Sequence, residues 1–506
     1  MPRRKERMPI PPQESWTIAK PAVLSDGGIV VAQNARAAAV GAEILAAGGN
    51  AVDAAVATAL ALGVREPWMS GIGGVGLLVY GEAATGRVAV IDFTALAPLA
   101  LGPSRYRLAG GVGDGELFSW PRVEGDRNLR GYDAVCVPGS VAGFGLALER
   151  FGRLSWREVM APALALAEEG LPVDWHTALS IALSAADLAG FDASRAVFLP
   201  SGLPPVPPPE GAPQRLPLPA LAQSYRRLSE AGPRDFYEGD LAQSILTDLH
   251  AGGSVLAAAD FAQYHARVVA PLAFDYRGMR LHAAPGLTGG PTFARALATL
   301  AGRLSGAVQA YPDAAAFIAY AEALREAFAH RLNALGHAAP APSNTTHLSV
   351  VDRAGNMVAL TNTLLSRFGS KVVLPRTGIV MNNAMMWFDP VPGRTNSMAP
   401  GKRPLANMCP VLATEGGAPL LALGACGGRR IIPAVTQLAS FLIDFHLSLE
   451  SAFTLPRLDA STGTVLCDAR LGPEIIAALA ARFPVEVVEE AVYPSPFALP
   501  SAVMRD

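Results

Sequence analysis

The segment Asn344-Thr345-Thr346-His347-Leu348-Ser349-Val350-Val351-Asp352 sets two threonines and a histidine at the head of a run of β-formers. A Pro- and Ala-rich breaker, residues 337–343 (HAAPAPS), precedes it. A threonine hydroxyl is a poor nucleophile unless a base stands beside it. Taken alone, a Thr-Thr pair at a strand start is ordinarily no more than a strand start. Its setting gives it more weight. Thr361-Asn362-Thr363 lies one hairpin later, and the Gly-rich stretch Gly424-Ala-Cys426-Gly427-Gly428-Arg429-Arg430 follows a later strand.

Other patterns point away from other chemistries. Gly71-Ile-Gly73-Gly-Val-Gly76 matches a dinucleotide-binding loop in spacing. Such a loop must join a strand to a helix. Here Arg65-Glu66-Pro67-Trp68 precedes it and a strand-like LLVY follows, so a Gly-packed turn entering a buried strand is expected instead. Cys136, Cys409, Cys426 and Cys467 are scattered, and the eight histidines show no HxxxH or HExxH spacing. No metal site and no cofactor are expected. The formal charge is −2, with no basic stretch for nucleic acid. No apolar run approaches a membrane span, and the basic start MPRRKERMPIPPQESW has no apolar stretch behind it. A reduced, cytoplasmic protein acting on a small molecule is the expectation.

The elements that must position these residues follow from periodicity. The chain of 506 residues is 51% hydrophobic and 17% charged, enough for a large buried core. Residues 36–63 read as two Ala-rich helices split by Gly48-Gly49, with Asn50 capping the second. Their apolar character all round predicts deep burial. Residues 75–80 and 86–93 read as strands, and 139–170 and 218–250 have helical spacing. Residues 202–218 are Pro-rich and irregular, and a helix covers Asp313 to Leu335. Strands follow over Thr346 to Asp352, Met357 to Leu364, Gly378 to Met381 and Val411 to Leu423, with a turn at Glu415-Gly416-Gly417, then a helix near Pro433 to Leu447. Helices followed by strands and mixed elements predict a layered α+β sandwich.

Ordered along the chain are GGNAVDAAVA (48–57), GIGGVG (71–76), IDF-x-x-x-AP (91–98), VPGSVAGF (137–144), GPRDFYEG (232–239), APGLTGGP (284–291), NTTHLSVVD, GKRPL (401–405) and GACGGRRII (424–432). In that order and spacing the chain resembles the γ-glutamyltranspeptidase family of N-terminal-nucleophile hydrolases. The resemblance implies a four-layer αββα sandwich, built jointly by a large subunit (1–344) and a small one (345–506) after self-cleavage between Asn344 and Thr345. The freed Thr345 amine, with a reference pKa of about 8, would then be the base for its own hydroxyl. The resemblance gives Thr363 the hydroxyl that hydrogen-bonds the nucleophile, and Gly427 and Gly428 the oxyanion-binding N–H groups. Acyl transfer through a Thr345 ester, to water or an amine, is the implied reaction, with an amide as the small-molecule substrate.

The family holds the carboxylate and amine of a γ-glutamyl group with an arginine, an asparagine, acidic or amide residues and a serine pair. This chain has Thr94 for the arginine, Leu365 for the asparagine, Ala384 and Trp387 after Asn382-Asn383, and Ala406-Asn407 for the serines. Losing a bidentate arginine and the partner of an ammonium removes what a free amino-acid head group needs. Asn407, Arg367, Lys371, Arg376 and Arg429 remain as polar anchors or, more simply, surface residues. γ-Glutamyl transfer is the family default. A glutaryl- or oxamate-type acylase is the alternative, with a C–C-cleaving relative or an inactive scaffold further off.

Overall fold

Two asparagines start the first helices. Asn34 Oδ1 accepts from Arg36 N and Ala37 N, opening α1 (Ala35–Ala46). Asn50 does the same for Val52 N and Asp53 N, and Asp53 answers with a carboxylate on Asn50 N at 2.8 Å, a capping box for α2 (Ala51–Arg65). All fifteen residues of α2 are buried, as its apolar circumference predicts. The computed structural model describes residues 21–112, 120–304, 310–335, 344–489, 491, 493 and 495–505. The N-terminal sixteen residues and the 337–343 breaker lie outside them.

The strands that matter for the site are, in chain order, β1 (Gly28–Val31), β2 (Val75–Gly81), β3 (Val88–Phe93), β4 (Arg267–Val269), β5 (Leu272–Tyr276), β6 (Met279–Ala283), β7 (Asn344–Asp352), β8 (Met357–Leu365), β9 (Val411–Glu415), β10 (Ala418–Cys426) and β11 (Leu499–Met504). They form a six-stranded sheet, β1-β7-β8-β2-β3-β4, and a five-stranded sheet, β11-β10-β9-β6-β5. Every pairing in the two is antiparallel. Both sheets mix strands from before and after residue 344, so neither part of the chain completes a sheet alone.

Alternation along the strands gives each sheet two buried faces. Leu348 and Val350 of β7, with Val358 and Leu360 of β8, join the core under α2 and α3 (Ser140–Phe151). Val351, Met357 and Ala359 point the other way, into an apolar layer with Leu412 and Ala422 of the second sheet. The outer face of that sheet packs with α4 (Gly290–Arg303), α5 (Ala314–His330) and α6 (Ile431–Ile443). The result is the expected αββα order of layers.

The turn at Gly71–Gly76 is structural. A Cβ on Gly73 would lie 2.2 Å from Val380 O, and one on Gly76 would lie 2.2 Å from Thr361 O. Backbone approaches this close admit only glycine. One strand expectation differs. Gly378 to Met381 makes a single bridge, Val373 with Val380. Gly378 N donates to Leu374 O, and Gly378 has φ +66°, so this stretch closes a tight loop and cannot extend a sheet.

Candidate active site

Thr345 sits at an irregularity in the sheet. β7 and β8 pair with Thr346 opposite Asn362 and His347 opposite Thr361, but the register shifts between Asn344 and Thr346. Between the pairs Asn344–Leu365 and Thr346–Asn362, Thr345 alone faces two residues of β8, Thr363 and Leu364, so the bulge is on β8, a device that re-aims side chains at a strand end. Thr345 and Thr363 are 2% and 0% exposed, and their hydroxyl oxygens are 3.1 Å apart. Thr363 Oγ1 also accepts from Leu365 N at 2.8 Å. The neighbouring residues hold the strands rigid: Thr346 Oγ1 donates to Asn362 O at 3.0 Å, and Ser140 Oγ at the start of α3 donates to Asn362 Oδ1 at 2.7 Å.

His347, two residues after Thr345, has the surroundings of a strut. Its Nδ1 lies 2.9 Å from Thr361 Oγ1 and its Nε2 3.2 Å from Ser349 Oγ. Burial pushes the imidazole down to about 3, so it stays neutral at any ordinary pH. The ring lies against Gly424 of β10, where a Cβ would come within 2.2 Å of Cε1. Gly424→Ala is therefore expected to lose about 1–3 kcal/mol of stability through overpacking. A denaturant titration checks this, and an unchanged midpoint would mean the ring moves aside freely.

Gly427 and Gly428 follow β10 and lead through a short turn into α6, with φ of +128° and +63°. Cys426, the residue before them, accepts from Gln33 Nε2 at 2.7 Å just past β1. The pair is thus anchored beyond the point where β10 meets His347, two residues from Thr345. A Cβ on Gly427 would lie 2.8 Å from Ala498 Cα.

The positions where a head group would be read are brought together. Leu365, Ala384, Trp387 and Ala406 are all at most 1% exposed and share one apolar cluster between the sheets. Leu365 adopts φ +84°, a left-handed conformation that asparagine tolerates and that costs leucine about 1–2 kcal/mol. Asn382 and Asn383 are structural: Asn382 Nδ2 donates to Gly73 O and Cys136 O, and Asn383 Nδ2 to Leu129 O and Ser366 Oγ. Thr94 Oγ1 donates to Asp92 Oδ1 at 2.6 Å. The guanidinium of Arg403, from the GKRPL segment, reaches Thr94 Oγ1 at 2.9 Å and lies 3.6 Å from Asp92. Arg267 pairs with the other Asp92 oxygen.

Asn407 is buried, with Oδ1 accepting from Arg331 Nη2 at 2.9 Å. Arg376 is a half-exposed partner of Asp248. Lys371 and Arg429, by contrast, are buried at 5% and 6% exposure, against the simpler surface reading. Burial lowers the Arg429 guanidinium to about 10.

Sequence reasoning missed Arg331 and Glu66. Arg331 continues the buried stripe Tyr320, Leu324, Ala327, Phe328 of α5 at helical spacing, a signal that was available. Glu66 ends α2 and is 4% exposed. Burial first, then Asp174, raises its carboxyl to about 7. A cleft on the outer helical layer, lined by Leu146, Trp156, Pro233 and Tyr237 among others, contains none of the residues at Thr345.

Residues 37–342 and 334–495 match the family model described as Gamma-glutamyltranspeptidase. The chain is 34% identical over 514 residues to the Acylase ACY 1 proenzyme of Pseudomonas sp. (strain V22), covering 94% of this chain and 90% of that protein. It is 31% identical over 483 residues to a Glutathione hydrolase proenzyme of Pseudomonas sp. (strain A14), covering 86% and 81%. The cephalosporin acylase from Bacillus halodurans superposes with a TM-score of 0.84 at 25% identity, over 99% of this chain and 95% of that one.

Proposed function

The chain belongs to the γ-glutamyltranspeptidase family of hydrolases, and from that premise we propose that it is a self-cleaving amide acylase with Thr345 as nucleophile. The single observation that carries the reading is Thr345 facing the β8 bulge, with its hydroxyl 3.1 Å from that of Thr363.

In the proposed sequence Thr345 Oγ1 first attacks the Asn344 carbonyl, the Asn344–Thr345 C–N bond breaks to leave an ester on Oγ1 and a free Thr345 amine, and water hydrolyses that ester, freeing the Asn344 carboxylate and the Thr345 hydroxyl as the ends of subunits 1–344 and 345–506. That amine, directly or through water, takes the hydroxyl proton as Oγ1 adds to the substrate's amide carbon. The C–N bond breaks, the proton passes to the departing amine, and an ester on Thr345 remains. Water then adds to the ester, releasing the acid and restoring the hydroxyl. Gly427 and Gly428 N–H groups receive the oxyanion in both halves. The large and small subunits stay together because each sheet needs strands from both. The names of two similar proteins, an acylase and a glutathione hydrolase, bracket the substrate. The apolar Leu365, Ala384, Trp387 and Ala406 favour the acylase side.

Substitution of the glycine pair tests this. Gly427→Ala and Gly428→Ala each put a Cβ on a residue of positive φ, and at Gly427 the Cβ also meets the Ala498 backbone. Displacing one oxyanion donor costs about 3–4 kcal/mol in the transition state, so kcat should fall on the order of 10²-fold, with slower self-cleavage and a largely retained fold. Unchanged kcat in both variants would mean that other groups hold the oxyanion.

A further inference from the structure

Glu66 follows α2 and is 4% exposed, and among the described residues no cation pairs with it. Its neighbour Arg65 is taken by Glu169, and Arg36 of α1 by Glu43. His176 lies toward Asp174 and Arg367 and forms no ion pair with Glu66. The groups that face the Glu66 carboxyl are the Asn34 amide, the Asp174 carboxylate that caps the helix Trp175–Ala182, and the Cys426 thiol. Asn34 Oδ1 already accepts from Arg36 N and Ala37 N, so its NH₂ is the part turned to Glu66. One amide donor is little compensation for a buried carboxylate that also has a second negative charge beside it.

The turn that carries Glu66 is tied to both parts of the candidate site. Glu66 O accepts from Met69 N at 2.8 Å, Met69 O from Leu364 N at 3.0 Å, and Trp68 O from Phe368 N at 3.0 Å. Leu364 directly follows Thr363 in β8. On the other side Gln33, next in the chain to Asn34, donates to Cys426 Sγ at 2.7 Å. Burial first, then Glu66, pushes that thiol up to about 12, so it stays neutral. Cys426 directly precedes Gly427. The carboxyl thus stands beside the strand end that bears Thr363 and beside the turn that bears the glycine pair. With burial and Asp174 raising it to about 7, it changes charge in the neutral range.

Resting on the acylase reading above, we propose that Glu66 is a positioning residue that governs the reaction through its own protonation, its neutral carboxyl permitting the oxyanion at Gly427 and Gly428 and its carboxylate opposing it. It acts through the field at the site and touches no substrate atom. A negative charge there works against the chemistry twice. It repels the oxyanion, and it favours the ammonium form of the freed Thr345 amine, which must be neutral to take the hydroxyl proton. The Glu66 proton is exchanged with solvent, and no bond to substrate depends on it.

Glu66→Gln keeps the shape of the side chain and fixes it neutral. Its kcat/KM for glutaryl-anilide, followed from about pH 5 to about pH 9, should match wild type at the acidic end, where Glu66 is protonated. At the alkaline end it should exceed wild type at least about fivefold, since a unit charge about 8–10 Å away at an effective dielectric of about 20 changes a rate about tenfold. The rising limb should also move to lower pH, because the Thr345 ammonium loses a nearby negative charge. A purely structural role for Glu66 would instead lower the rate at every pH. Asp174→Asn keeps a helix-capping side chain and removes the second charge. It lowers the pKa of Glu66, so its rate should fall away from wild type in the neutral range and rejoin it at both ends. This variant carries the test if Glu66→Gln does not fold. A Glu66→Gln enzyme no faster than wild type at the alkaline end, or an Asp174→Asn profile superimposable on wild type, would overturn the proposal. If the wild-type protein neither cuts itself nor turns over an anilide, the acylase reading fails and this inference with it. Turnover with identical profiles in all three proteins fails this inference alone.

Discussion

Thr345→Ala will be isolated as one uncut chain and will show no acylase turnover above background. Self-cleavage and catalysis draw on the same atom. The Thr345 hydroxyl, facing the β8 bulge, is the nucleophile for the Asn344 carbonyl, and after cleavage it is the nucleophile for the substrate. Alanine leaves the Thr363 hydroxyl 3.1 Å from where Thr345 Oγ1 stood, but Thr363 lies inside β8 and can never gain a free amine. The expected loss of turnover is at least about 10⁴-fold, the range seen when a nucleophile is removed from a site whose other groups remain. Folding should survive, because the rest of β7 is held by Thr346, His347 and Asp352. Asp352 accepts from Ala51 N at 3.0 Å and from Asn356 Nδ2 at 2.8 Å, far from the bulge. Thr345→Ser should still cleave itself, since it keeps the hydroxyl. Gel electrophoresis of the two variants beside wild type reads the result. A Thr345→Ala protein that splits into the same two fragments would remove Thr345 from the account.

The second large effect concerns the head group. γ-Glutamyl-anilide is expected to be a poor substrate, with kcat/KM lower than that of glutaryl-anilide by roughly two orders of magnitude or more. The two differ by one α-ammonium. Carrying that charge out of water is unfavourable unless a carboxylate or several acceptors receive it. At the positions that would receive it stand Leu365, Ala384 and Trp387, all buried in the same apolar cluster, and the nearby Arg331 is a cation. Each charged hydrogen bond withheld is about 1.5–3 kcal/mol, and two such bonds correspond to about 10²–10⁴ in rate. Competition kinetics with both anilides in one reaction measures the ratio directly. A clear preference for γ-glutamyl-anilide would restore glutathione-type hydrolysis as the activity.

Parts of this structure were legible in the residues. Asn50 and the Gly48-Gly49 break located two helices because capping is a local matter. The Gly71–Gly76 turn was separable from a nucleotide loop because what precedes it is no strand. The order of strands was not legible. β1 pairs with β7, over three hundred positions away, and the bulge that aims Thr345 exists only in the pairing of β7 with β8. The family resemblance located Thr345 and Thr363, and the 3.1 Å contact between their hydroxyls is a geometric fact that no spacing rule supplies. Charged residues were the least legible. Lys371, Arg331 and Arg429 are buried, although such side chains are rarely so. Arg331 alone carried a usable signal, its place on the apolar stripe of α5.

The central claim is that Thr345 becomes an N-terminal residue and carries the acyl group. Intact-mass spectrometry of the purified wild-type protein, before and during turnover of glutaryl-anilide, tests it most directly. The account predicts two fragments, with the smaller spanning residues 345–506, and a transient gain of one acyl mass on that fragment, mapped by peptide sequencing to Thr345. A single uncut chain that hydrolyses the anilide at full rate, or an acyl adduct on any residue other than Thr345, would contradict it.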